Sequence, residues 1–211
     1  MLGLLGVLST ATAIPSVIGV SQGIKAQRDQ TRDAKLSRKC NLTVYCDARS
    51  RSTVQIHGKP IWMCGDKMYI GDTVGETLKL TDPGHPFEGF YINHPREPDK
   101  PMGMVTMTSS APPAMGWVFI DCDTDEVKYG NKSSSMPHLV GPWGWTKDEV
   151  GVTLQKEEAF VAVEEQEGVW AVYWDKKGDG KRLPKGKKVL EISLDRRPIE
   201  EEEERKKEGK S

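Results

Sequence analysis

The sequence predicts an all-β domain, mainly an antiparallel sandwich or barrel, with one N-terminal α-helix before it and a disordered, charged C-terminal tail after it. Three observations point there. Between residues 40 and 195, short β-branched and aromatic runs alternate with Gly, Pro and Asp, the pattern of strands and turns. Within that interval no stretch carries a convincing helical apolar period. The two ends differ sharply from the middle, one apolar and then basic, the other rich in Glu and Lys.

The N-terminal segment covers residues 1–39. Residues 1–24 hold no charged side chain, and residues 25–39, KAQRDQTRDAKLSRK, are dense in charge. A secretory signal needs a basic start, and none precedes Leu2, although Ala11-Thr12-Ala13 has the small residues of a cleavage site. A membrane span needs about 20 apolar residues, and residues 2–24 are diluted by Ser9, Thr10, Thr12, Ser16, Ser21 and Gln22 and broken by Pro15. The favoured reading is a helix from about residue 15, since proline suits a first turn. Ile14, Val17, Ile18 and Ile24 give it a partial apolar stripe, and it runs on to about Leu36. Residues 15–36 are therefore expected to attach the domain to a membrane surface or a partner protein.

The β domain is expected over residues 40–195. Strands are read at 42–46, 53–57, 60–64 and 67–70, the last two joined as a hairpin by Gly65-Asp66. Further strands are read at 76–80, 90–92, 102–108 and 116–121, with a loop at 109–114 holding Pro112-Pro113. Residues 126–129 pair back onto 116–121 across Asp123-Thr124-Asp125, and 151–154, 159–164 and 169–174 form a meander. In residues 160–163 and 169–174 the apolar side chains are nearly continuous, as in strands covered on both faces. Residues 188–194 close the domain. No repeat of fixed period is present, which excludes propellers and solenoids. Residues 196–211, with five consecutive glutamates, form the tail.

Composition limits function. With 30 basic and 31 acidic residues the chain lacks the basic excess of a nucleic-acid binder, so no nucleic-acid partner is expected. Cys40, Cys46, Cys64 and Cys122 show no Cys-x-x-Cys spacing, so free thiols in a reducing compartment are expected before a zinc or redox site. No metal and no cofactor is expected. Asp175-Lys-Lys-Gly-Asp-Gly opens like a calcium loop, but Lys177 and Gly186 stand where ligands belong, so it is read as a hairpin turn between residue 174 and the last strand.

The candidate ligand-binding residues are Trp143, Trp145, His85 and His94. Trp143 and Trp145 lie two apart in a turn-rich Gly-Pro-Trp-Gly-Trp segment and point the same way if extended, as a platform for a sugar or apolar ligand. Their plainer reading is core. His85 and His94 bracket the aromatic segment 87–91 in loops, where functional groups are often placed; their plainer reading is two loop histidines. No residue is singled out as catalytic.

Several segments together resemble a family of filamentous-fungal proteins to which no activity is attached. They are AIPSVIGVSQGIKAQ (13–27), LTVYCDARS (42–50), GFYI (89–92), WVFIDCDTDEVKYGNKSSS (117–135) and HLVGPWGWTKDEVGVTLQKEEAFVAVEE (138–165). The resemblance covers most of residues 13–175 and implies an independent β-rich fold, with no site residues. It begins after MLGLLGVLS, which reads as an extension and weakens the secretion and spanning readings.

Three functional expectations follow. The first is a non-enzymatic binding or scaffolding domain, cytoplasmic and held by its N-terminal helix. The second is a small-molecule or carbohydrate-binding barrel, or a small enzyme, built on the Trp143/Trp145 and His85/His94 loops. The third is a secreted, disulfide-bonded protein glycosylated at the Asn41-Leu-Thr43 and Asn131-Lys-Ser133 sequons.

Overall fold

The computed structural model describes residues 30–72, 74–77, 84–110 and 113–199, together with Lys25 and Gln27. Residues 1–24, which hold the first part of the expected helix, and residues 200–211 of the expected tail lie outside that set. Residues 30–36 are helical, and the side chain of Leu36 is buried in the core of the β domain. Among the described residues no helix is long and apolar enough to cross a membrane.

Among the described residues the domain has thirteen strands: β1 Cys40–Tyr45, β2 Ile61–Cys64, β3 Lys67–Ile70, β4 His85–Pro86, β5 Gly89–Asn93, β6 Met102–Ser110, β7 Pro113–Ile120, β8 Val127–Gly130, β9 Trp143–Trp145, β10 Val152–Leu154, β11 Phe160–Gln166, β12 Val169–Trp174 and β13 Val189–Pro198. The pairings are antiparallel. They run β12-β11-β13-β1-β5-β6-β7-β8-β3 and return from β3 to β12, closing a barrel. The hairpin partner β2 hangs on β3 and carries β4, while β9 and β10 make a separate ribbon.

Period-two patterning sets what points inward. Cys40, Leu42 and Val44 of β1 and Ile192, Leu194 and Arg196 of β13 are buried, and their neighbours face out. In β11 and β12 both faces are covered. Phe160, Ala162, Trp170, Val172 and Trp174 belong to the barrel core. On the other face Val161, Val163, Val169, Ala171 and Tyr173 pack beneath Tyr69, Val74 and Leu183. That second layer explains the unbroken apolar runs.

Five expected elements differ. Residues 53–57, read as a strand, contain the helical turn Thr53–Ile56. There the Thr53 amide donates to Ser50 Oγ at 3.2 Å and its hydroxyl donates to the Ala48 carbonyl, local bonds that compete with a ladder. Val74–Thr77 is likewise a helical turn, so residues 76 and 77 of the strand expected over 76–80 are helical, while residues 78–80 lie outside the described residues. The loop expected at 109–114 is shortened by pairing of Ser109 with Ala114 and Ser110 with Pro113. Finally β10 pairs with β9, taking residues 152–154 out of the expected meander. At the far end β13 runs to Pro198, three residues past the expected boundary, because Arg196, Arg197 and Pro198 pair with Leu42, Asn41 and Cys40.

Candidate functional site

The strand order creates the site. Because β11 lies between β12 and β13, the chain leaving β12 cannot turn tightly into β13. Residues 175–188, expected as a hairpin turn, must instead pass over β11. An open groove of about 970 Å³ results, walled by this crossover and floored by the outer faces of β11, β13 and the end of β1.

Its floor is mixed. Val161 and Val189 supply apolar surface, and Glu191 and Ser193 stand in a row on β13. Tyr45, paired with Ser193 and 44 % exposed, presents its ring at one end. Tyr45 packs at 5.0 Å against the His57 ring. Its hydroxyl donates to Asp47, and that bond, with the Asp47 and Asp195 charges, pushes the phenol pKa up. Glu158 completes this end; partial burial and the charges of Asp148 and Asp195 push its carboxyl up. At the other end the wall is partly tied down. Lys176 donates to Gln155 at 2.6 Å and lies 5.8 Å over the Trp174 ring, and Asp175 accepts the Gly180 amide at 2.9 Å.

None of the four residues singled out from sequence lines this groove. Trp143 and Trp145 do point the same way, but the way is inward. Trp143 is buried and stacks on Phe160 at 6.1 Å, with no hydrogen-bond partner for its indole N–H among the described residues. Trp145, partly buried, meets Tyr91 edge-on at 5.2 Å and lies under the Arg196 guanidinium. Fully enclosed, His94 packs on Trp117 at 4.4 Å. Its Nδ1 accepts the Arg96 amide, and its Nε2–H donates to Ser135 Oγ, whose own proton goes to the Lys132 carbonyl. Burial, then the charges of Arg96 and Lys132, push its pKa down, so it is a neutral ring with both nitrogens engaged. His85 lies in the short β4, edge-on to Tyr129 at 6.1 Å. The structure therefore brings the two tryptophans together as core and leaves the two histidines in separate surroundings.

Match to a protein family turns on residues 19–200, which fit the model of the fungal beta-trefoil domain. The chain belongs to that family. No curated protein and no solved structure matched it. For this beta-trefoil domain the fungal, β-rich resemblance read from residues 13–175 holds, and so does the all-β fold.

A second, mutually bonded gathering of titratable groups in the trefoil lies where the barrel closes. Lys67 Nζ bonds Glu126 at 2.7 Å and also Glu165, and the Tyr173 hydroxyl donates to Glu165 at 2.6 Å and Glu126 at 3.2 Å. Lys128 bonds Asp121 at 3.1 Å and Glu126 at 3.0 Å. Burial raises the Glu126 carboxyl, but hydrogen bonds and charge from Lys67 and Lys128 outweigh it and hold the pKa below the usual range. These ions neutralise one another across β3, β8, β11 and β12, where the direct links of β3 to its barrel neighbours are few: one pair joins it to β8 and two join it to β12. Among the described residues no three His, Cys, Asp or Glu side chains are grouped to hold a metal ion. All four cysteines are free thiols, Cys122 alone exposed.

Proposed function

We propose that the protein is a non-enzymatic binding domain and that the groove over β11 and β13 receives its ligand, a segment of a partner protein. The observation that carries this reading is the crossover-walled groove itself, with the exposed Tyr45 ring packed against His57 at one end. A concave surface that mixes apolar floor with a few convergent polar groups is the usual form of a ligand site. Membership of a beta-trefoil family is compatible with a binding role. A carbohydrate is the second reading, supported by the same residues, since sugar C–H faces stack on an exposed aromatic ring while hydroxyls meet carboxylates.

The test is a binding screen of peptide and oligosaccharide libraries on the wild-type domain and on Ser193→Trp, which fills the groove beside Tyr45. Ligands of the wild type are expected to lose at least about tenfold in affinity on the variant, roughly 1.4 kcal/mol. Binders indifferent to the substitution defeat the reading.

Attachment of the domain, in the cytoplasm, through residues 15–36 to a partner or a membrane surface belongs to the same proposal. Its support is that residues 30–34 are helical and exposed, in a stretch carrying Lys25, Arg32 and Lys35. Removing residues 1–35 spares Leu36, whose side chain the core needs. The shortened protein is expected to leave its native location in cells, and unchanged localisation would sink the attachment.

A further inference from the structure

We propose that the groove recognises a polypeptide through a cationic side chain, arginine above lysine, seated on the Tyr45 ring between Asp47, Glu158 and Glu191. The proposal rests on the groove being the ligand site.

Charge on the lining is uneven once existing partners are counted. Five carboxylates line the groove, those of Asp47, Glu158, Asp175, Asp179 and Glu191. Two are engaged away from the Tyr45 end: Asp179 pairs with Lys181 at 2.9 Å, and Asp175 accepts the Gly180 amide. Asp47, Glu158 and Glu191 line the groove and form no ion pair among the described residues; Asp47 is two residues from Tyr45, Glu191 two residues from Ser193 on β13, and Glu158 feels the charge of Asp195. On the crossover, Lys176 is held by Gln155 and Trp174 and Lys177 acts on Asp179, while Lys185 also lines the groove. The lining thus carries five carboxylates against three lysines, and the three carboxylates beside Tyr45 and on β13 are in no ion pair with any of them among the described residues.

Strand geometry extends the pattern. Glu191, Ser193 and Asp195 project from one face of β13, two residues apart, so their spacing along the strand is about 7 Å. An extended peptide also repeats every two residues on one face, so successive basic side chains at that interval match the row. Asp195 is partly satisfied by Arg197 at 3.1 Å, with the Arg197 side chain 42 % exposed. A guanidinium fits better than an ammonium, because it stacks flat on a ring while its N–H fork reaches carboxylates at its edge. A bound cation also relieves the repulsion from Asp148 and Asp195 that adds to partial burial in raising the Glu158 carboxyl.

The experiment measures binding of a short synthetic peptide of alternating Arg and Gly, beside its Gln/Gly counterpart, by fluorescence anisotropy. The proteins are wild type, the triple variant Asp47→Asn/Glu158→Gln/Glu191→Gln, and Ser193→Trp. All three acidic positions are at the surface, so the triple variant keeps the fold, which a thermal melt verifies. The expected result is that only the Arg peptide binds wild type and that both variants weaken it at least about tenfold. If Ser193→Trp abolishes binding while the triple variant retains it, the groove stands and the cationic class falls. Binding that survives both variants overturns the groove and the class together. An Arg peptide no tighter than its Gln counterpart on wild type overturns the class alone.

Discussion

The guanidinium carbon of Arg196 lies 4.3 Å from the centre of the Trp145 ring and 5.4 Å from that of Tyr91. Arg196 is only 8 % exposed, and one N–H bond runs to the Glu149 carbonyl at 3.0 Å. A mostly apolar barrel mouth thus accepts a cation because two aromatic faces and a carbonyl replace part of its hydration. The contact also fastens the β9–β10 ribbon to the barrel, since the Arg196 amide donates to the Val150 carbonyl at 2.8 Å. Replacing Arg196 with Lys keeps the charge but loses the flat stack, and a loss of about 1–2 kcal/mol is expected in urea unfolding. An unchanged midpoint would show that the stack contributes nothing.

Acid should weaken the fold through the Lys67 network. The carboxyl of Glu126 sits below its unfolded value, as does that of Asp121, where burial is outweighed by the Asp123 amide and Lys128. A depressed acid contributes stability that is complete above the unfolded value, near 4, and is lost as pH falls through the folded value. Lys128 is shifted up: burial opposes the charge, and Glu126 and Asp121 more than restore it. Its share is present below the unfolded lysine value and disappears as pH rises through the folded one. Urea melts from pH 7 down to pH 3 should therefore show stability falling mostly below about pH 4.5. In Glu126→Gln that acid limb should be shallower.

His94 has the opposite chemistry. Its folded pKa lies below the unfolded 6.5, so its contribution is present above that value and is lost as pH drops through the folded value. Replacement by Gln, which keeps one hydrogen bond to Ser135 but loses the Trp117 contact, is expected to cost about 1–3 kcal/mol. Its melts should lose any component titrating below pH 6.5 that the wild type shows; a component that persists belongs to another group.

Gly89 has no room for a side chain. A Cβ there would lie 2.2 Å from the Val105 carbonyl oxygen and 2.4 Å from the Phe87 ring. Gly89→Ala is expected to destabilise by about 1–3 kcal/mol or more through overpacking at the β5–β6 pair. Phe160→Ala, which removes the ring stacked on Trp143, is expected to cost about 3–5 kcal/mol and to change the near-ultraviolet circular dichroism of Trp143. A cost below about 1 kcal/mol for Phe160→Ala would show that the site collapses around the missing ring.

Elements whose pattern is dictated by burial were legible in the sequence. The β2–β3 hairpin, β11 and β12 are where residue type, turn chemistry and two-sided burial agree. Thr53–Ile56 was not, because Ser50 and Thr53 satisfy the backbone locally while the β-branched residues still spell a strand. Nor was the candidate site. Tyr45 and Asp47 read as no more than the end of a strand, and the crossover 175–188 as a turn, because its character depends on β11 inserting between strands that are consecutive in sequence. For Trp143 and Trp145 the sequence left a ligand platform open beside the plainer core reading, because a turn-rich Gly-Pro-Trp segment does not show that the ribbon is folded against the barrel.

That crossover has a consequence for how the protein changes over generations. The strands it joins are held by β11, through six pairs with β12 and four with β13, and not by the loop between them. Residues lost, gained or exchanged along most of 175–188, with Leu183 kept as an anchor in the outer apolar layer, alter the wall of the groove while the barrel closes as before. Different lineages can carry differently shaped and charged grooves on one unaltered frame, and a protein engineer can graft new segments at the same place.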